Sequence, residues 1–400
     1  MPTPIIYKEG KINPFEHLDG DQRKTRTQIF YATNRGPTQS TEGLSYGNRI
    51  ESTLYLGEAV VRMGEVDTTW DDLVRLSMAE DSSQAVPLSL QEVIEMARIP
   101  LQTNGDQKPE LNAQQQQFID SINREISQAK DKEIMIYVHG TKVDFENAAI
   151  LAAEVDHFAG RDFVGVAFSW PSHQNILYYL TGVDVRRALD SSKALEELIE
   201  LLAEHSDAKH INILSYSAGG KVTTLALDHL QRMSSDLSKS QLQKKYKIGS
   251  VVCAAIDVEV HQFLDRLPGI SQLANQVVIT VTDDDNALKA GKRFMGGESR
   301  VGTVEVENLE EEFIARKHLE NVEIIDISYG KKVRGFDITG HHYWYHHPWT
   351  SSDIVFLMRT DLPPDRRGLS QNELEGIWYF SPNYPEKIRE AAAIELDGQW

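Results

Sequence analysis

Cysteine is almost absent from this chain of 400 residues; Cys253 is the single one. An intramolecular disulfide is thereby excluded, and so is a structural zinc site built on thiolates. Cys253 stands in the apolar run 251–255, where a lone thiol packs as a small hydrophobe. Long hydrophobic runs are missing too. No stretch approaches the roughly 18 apolar residues that span a bilayer, so no transmembrane segment is expected. The opening Met1-Pro2-Thr3-Pro4-Ile5-Ile6-Tyr7 lacks the basic start and apolar stretch of an export signal. The expectation is a soluble protein, either cytoplasmic or a periplasmic or envelope protein whose signal has been trimmed. Positive charge is in deficit, with 41 basic against 60 acidic residues and a net charge of -19. Such a surface repels phosphate backbones and anionic lipid heads, so nucleic acid is not an expected partner.

What is present is ordinary for a globular protein: 40% apolar and 25% charged residues, enough for a sizeable core. Residues 1–26 are polar and punctuated by Pro and Gly, which predicts an extended arm. Strands are predicted at 27–32 and 52–61, a short helix at 90–97 and a Gln-rich helix at 112–130. Beyond that point the pattern changes, and short apolar strands alternate with amphipathic helices. Strands are predicted at 134–138, 163–168, 211–214, 248–256, 277–281 and 322–327. Helices are predicted at 145–158, 185–203, 218–230 and 352–358, with a polar insertion at 231–246. This alternation predicts an α/β fold with a mostly parallel sheet covered by helices on both faces. The expected organisation is an arm at 1–26, an N-terminal extension at 27–132, a catalytic core at 133–360 and a C-terminal extension at 361–400. In such sheets ligands bind beyond the carboxyl ends of the strands.

The segment Ile211-Asn212-Ile213-Leu214-Ser215-Tyr216-Ser217-Ala218-Gly219-Gly220 runs an apolar strand into Ser-x-Ser-x-Gly and then a helix. A nucleophile elbow needs this context, because its tight turn pushes a serine oxygen out above the sheet. Small residues must stand two before and two after the nucleophile. Ser215 and Gly219 satisfy this for Ser217, whereas Ile213 disqualifies Ser215. The Ala218 amide would face a developing oxyanion at the helix N-terminus. His139-Gly140-Thr141 follows the strand at 134–138, where a His-Gly pair commonly leads to a second oxyanion amide, here that of Thr141. His139 itself is expected to brace the loop.

An acid and a base should follow the serine in that order. The strand at 277–281 runs into Asp283, Asp284 and Asp285. One of them would orient an imidazole, while another caps the next helix. Asp326 ranks lower because it lies inside its strand. The loop after the last clear strand carries His341, His342, His346 and His347, the region where a triad base belongs. A metal reading of these histidines lacks a carboxylate to complete an open site, so no metal is expected. Trp170, Tyr178, Tyr179, Tyr216, Trp344 and Tyr345 are candidates to line an aromatic pocket, and His342 to contact substrate. The segment 172–183 follows a strand end and is a candidate lid.

Together these residues resemble the α/β-hydrolase family designated DUF900. The matching pieces are Phe30-Tyr31-Ala32-Thr33-Asn34-Arg35, Val138-His139-Gly140, Phe168-Ser169-Trp170-Pro171-Ser172, the elbow at 215–219, Asp285-x-Ala287-Leu288, Arg300-Val301-Gly302 and Gly340-His341-x-Tyr343. The resemblance implies Ser217 as nucleophile, Asp285 as acid and His341 as base, with no cofactor. It departs from the family pattern at Tyr216 and Ala218, where His and Met are usual, and at Thr141, where an aromatic is usual. The implied activity is cleavage of a small-molecule or lipid-like ester through an acyl-enzyme. An amidase or thioesterase with the same triad, and a non-catalytic binding module on the same fold, are the alternatives.

Overall fold

The structure is a computed structural model that describes residues 1, 3–10, 12–40, 43–79, 86–101, 110–282, 299–303, 319–328, 347–372 and 376–396. At its centre lie β4 (Glu133–Val138), β5 (Val164–Ser169), β6 (His210–Tyr216), β7 (Ile248–Ala254), β8 (Gln276–Val281) and β9 (Val322–Asp326). All of their mutual pairings are parallel. Nearly every position of β4 to β8 is buried, as a sheet covered on both faces requires. Side chains of one strand therefore serve two cores in alternation. Ile134, Ile136 and Val138 join one core with Phe118, Leu198, Val222 and Phe263. Met135 and Tyr137 join the other with Tyr31, Phe145, Ala149 and Phe356.

The sheet continues on both sides of this centre. β1 (Arg26–Ser40) pairs parallel with β5 and antiparallel with β2 (Gly43–Met63), which pairs antiparallel with β3 (Leu88–Pro100). On the far side, β11 (Trp378–Tyr379) pairs with β9 and β10 (Ser370–Gln371) with β11. The order among the described residues is β10-β11-β9-β8-β7-β6-β4-β5-β1-β2-β3. The mostly parallel α/β architecture predicted from the alternation is the one observed.

The described helices are α1 (Trp70–Ser77), α2 (Ala113–Gln128), α3 (Phe145–Phe158), α4 (Ile176–Leu180), α5 (Val183–Asp190), α6 (Ser192–His205), α7 (Gly219–Met233), α8 (Lys239–Tyr246), α9 (Val260–Leu273), α10 (Pro348–Thr360) and α11 (Tyr384–Glu395). α3 begins where Asp144 accepts the amide of Asn147 at 2.9 Å, an N-cap that satisfies one otherwise unpaired donor. The N-terminal arm folds Ile5–Gly10 into a 3-10 helix and buries Ile5, Ile6 and Tyr7. The Ile5 amide donates to Ser352 Oγ of α10 at 2.7 Å.

Several element predictions are corrected. Residues 90–97 are not a helix but the middle of β3. Their apolar spacing fits either period, and pairing with β2 decides the outcome. The predicted helix at 185–203 is two helices, α5 and α6, meeting at Ser191. There the Ser191 hydroxyl donates back to Arg187 O at 2.7 Å and accepts from Asn34 Nδ2 at 3.0 Å. The polar insertion at 231–246 contains α8, which starts in a capping box at Ser238 and buries Leu242 and Tyr246.

Candidate active site

β4, β5, β6 and β7 end along one edge of the sheet, and the candidate residues emerge there. Ser217 follows β6 directly and adopts φ +51°, a left-handed backbone that costs a residue with a Cβ about 1–2 kcal/mol. Three hydrogen bonds hold it there. Its amide donates to Ala254 O at 3.1 Å, and its carbonyl accepts from Gly220 N and Asp257 N, each at 3.0 Å. The turn leaves no space for larger neighbours. A Cβ on Gly219 would lie 2.6 Å from Val138 O and 2.7 Å from His139 O, and one on Gly220 would lie 2.6 Å from the Ile256 Cβ. Gly140 is constrained less severely, since its Cβ would stand 3.0 Å from that of Ser217. The loop after β4 is therefore pressed against the serine. α7 begins at the next residues, so its N-terminal partial positive charge lies at the Ala218 amide.

The loop 139–143 is clamped from beneath. Arg35, at 1% exposure, donates from Nε to Ser169 Oγ at 2.8 Å and from Nη2 to Val143 O at 2.6 Å. Its Nη2 also lies 3.4 Å from His139 Nε2, and its Nη1 donates to Gly47 O at 3.2 Å. His139 Nδ1 is 2.6 Å from Gly140 O, so the imidazole carries its proton on Nδ1 and presents Nε2 to the guanidinium. Burial, and then the Arg35 charge, depress this histidine to about 3. It is neutral at working pH and acts as a brace. The Trp170 indole donates to His139 O at 2.7 Å and stacks on the His139 ring at 5.2 Å.

Ser217 and Gly140 thus meet at one edge, with Ala218 and Thr141 next to them in the chain and Tyr216 packed against Gly140. Trp170 is fully buried, while Tyr178 is 44% exposed. Its ring stacks on that of His173 at 3.9 Å. Asp285, His341, His342, Trp344 and Tyr345 lie outside the described residues. β8 reaches Val281, and Thr282 N donates to Gly302 O at 3.2 Å just before the aspartate run begins. His347 is described, and its side chain caps the start of α10.

Sequence reasoning passed over a buried charge network beside the elbow. The Asp257 carboxylate accepts the Tyr179 hydroxyl and pairs with Arg300 Nε at 3.0 Å. Arg300 also pairs with Glu259, and Glu259 pairs with Lys221 Nζ at 3.3 Å. Burial pushes Glu259 up, but Lys221 and Arg300 outweigh it and hold the carboxyl down to about 2. Asp257 was detectable as a carboxylate directly after the strand predicted at 248–256, and Arg300 as part of the resemblance. A second overlooked pair is His173 Nδ1 with the buried Asp184 Oδ1, at 2.6 Å.

Among the described residues, Glu133, His210 and Asp361 have ligand atoms within 4.8 Å of one another. Glu133 and His210 open β4 and β6, so this group sits at the sheet edge opposite Ser217. Glu133 already pairs with His210 Nδ1 at 2.9 Å and accepts from Asn212 Nδ2 at 2.7 Å. No helix among the described residues is long and apolar enough to cross a membrane.

Comparison with known proteins gives three findings. No curated protein matches the chain. A solved structure, described as that of a lipase-esterase related protein from Clostridium acetobutylicum ATCC 824, is 12% identical. It covers 58% of this chain and 96% of its own, with a TM-score of 0.27, a likeness too slight to carry an argument. The model of the family described as "Alpha/beta hydrolase of unknown function (DUF900)" matches residues 114–355. That segment is more than half of the chain and includes the elbow, the Arg35-braced loop and the strands that carry them; the protein belongs to this α/β-hydrolase family.

Proposed function

We propose that the protein is a serine hydrolase that cleaves carboxylic esters through Ser217. The observation that carries this reading is the left-handed Ser217, with Gly140 packed close against it and Gly219 placed where a Cβ would strike two backbone carbonyls. A strained residue persists only when its surroundings over-determine it, and such strain clusters at functional sites. In the proposed mechanism His341 takes the Ser217 proton as the oxygen attacks the ester carbonyl, and Asp285 orients that imidazole. The amides of Ala218 and Thr141 hold the oxyanion. The alcohol leaves with the proton from His341, and water releases the acyl group. Asp285 and His341 enter from the family resemblance alone. Arg35 and His139 support the oxyanion loop, and Tyr178, Tyr216 and His342 are the proposed substrate contacts; Trp170, expected among those contacts, is fully buried and braces His139 O instead.

The test is hydrolysis of p-nitrophenyl acetate, butyrate and decanoate by wild type and Ser217→Ala. Loss of the nucleophile should lower kcat by about 10⁴-fold or more. Equal activity of the two proteins would remove Ser217 from the mechanism. Anilides and acyl thioesters in the same panel separate the amidase and thioesterase alternatives, and inertness towards all three classes would favour a binding module.

A further inference from the structure

We propose that α4 is a fixed apolar wall of the substrate entrance, which takes the hydrocarbon part of an uncharged ester; this rests on the serine-hydrolase reading above.

The wall is tied to the nucleophile on its inner side. Tyr179 is 5% exposed, and its hydroxyl donates to Asp257. The next amide contact runs from Asp257 N to Ser217 O at 3.0 Å. Arg300 and Lys221 neutralise Asp257 and Glu259, so this anchor is a closed set of two cations and two anions. Breaking one buried partner of such a set is costly, because it leaves an uncompensated charge.

The approach to the wall is tied to the oxyanion loop. Ser172 Oγ donates to Val143 O at 2.7 Å, and Gln174 Nε2 donates to Asp144 Oδ2 at 2.7 Å. His173 gives both its amide and its imidazole to Asp184, a carboxylate with no exposure. Arg187 of α5 donates to Pro171 O at 3.1 Å. A lid that swings open would have to break these contacts together. The segment 172–183 is therefore a rim.

Its outer side is apolar. Ile176, Leu177, Tyr178 and Val183 are 39%, 59%, 44% and 41% exposed. They are four of the nine large hydrophobic residues exposed among the described residues, gathered within eight positions. Scattered single exposed hydrophobics are normal, but a contiguous group beside a polar anchor marks a binding surface. α4 itself carries no charged residue. The net charge of -19 disfavours an anionic amphiphile as the occupant. The hydrocarbon part of a neutral ester, its carbonyl turned toward Ser217, fits both conditions.

The experiment compares wild type, the double variant Leu177→Ser/Tyr178→Ser and, as an independent second variant, Ile176→Ser. Three readouts are taken: the decanoate-to-acetate ratio of kcat/KM, the affinity for the uncharged apolar dye Nile red, and the mass in solution by light scattering. The double variant should lower the ratio at least tenfold and weaken dye binding by a similar factor, with Ile176→Ser changing both in the same direction. An unchanged ratio and unchanged dye binding would overturn the proposal. So would conversion of a dimer to a monomer at constant ratio, which would make the face a contact between copies. Ser217→Ala separates the two readings. If it hydrolyses esters like wild type, the serine mechanism fails, and dye binding alone then decides the wall.

Discussion

Gly219 shows how one missing methyl group sets the elbow. Its Cβ would meet two backbone carbonyls of the neighbouring strand end, and backbone gives way less readily than a side-chain tip. Gly219→Ala should destabilise the protein by about 1–3 kcal/mol, measured by denaturant unfolding, and should displace Ser217 enough to abolish ester hydrolysis. Asp156 makes a different prediction. It lies on the buried face of α3, and burial pushes its carboxyl up to about 7. The folded protein therefore keeps this proton up to about pH 7, while the unfolded chain releases it near pH 4. Between those values the folded state binds more protons, so the stabilising contribution present at low pH is lost as pH rises toward 7. Asp156→Asn should flatten that part of the Tm–pH curve and raise Tm at pH 8. A wild-type curve with no decline from pH 4 to 7 would contradict this assignment.

Elements matter here through what they brace. Arg35 comes from β1, yet it fixes a loop that follows β4 and the end of β5. Arg35→Met should lower kcat on p-nitrophenyl butyrate by about 10–100-fold, on the scale of a small misplacement at a catalytic site, with KM changing less. Arg35→Lys should not rescue it, because a single ammonium cannot reproduce a planar fork with several donors. The elbow was legible in the sequence because its chemistry is local: a strand, small residues at fixed offsets and a helix start lie within ten positions. The central strands were legible because burial on both faces leaves unbroken apolar runs. β3 was not, since Leu90, Val93, Ile94 and Ala97 suit a helix as well as an edge strand. The Asp257–Arg300 network was not either, because its members are scattered from residue 179 to residue 300 and only the fold joins them.

At the scale of the whole molecule, the N-terminal strands belong to the same sheet that carries Ser217. β1 lies directly against β5, so removing residues 1–112 would strip β1, β2 and β3 and leave β5 as a bare edge with apolar residues on both faces. Exposed edges of that kind promote aggregation. The truncated chain should be recovered as insoluble material, judged by size-exclusion chromatography beside the full chain. A soluble, monodisperse fragment 113–400 would show that the extra strands are dispensable.

The lone thiol of Cys253 lies within β7, 1% exposed, and burial pushes it up to about 12. In the folded protein it should stay silent toward Ellman's reagent and release one equivalent only after denaturation. The native molecule is then a blank background for site-specific chemistry. A cysteine introduced at position 177 would be its sole reactive handle, so a fluorophore or spin label placed there would report directly on the rim beside Ser217.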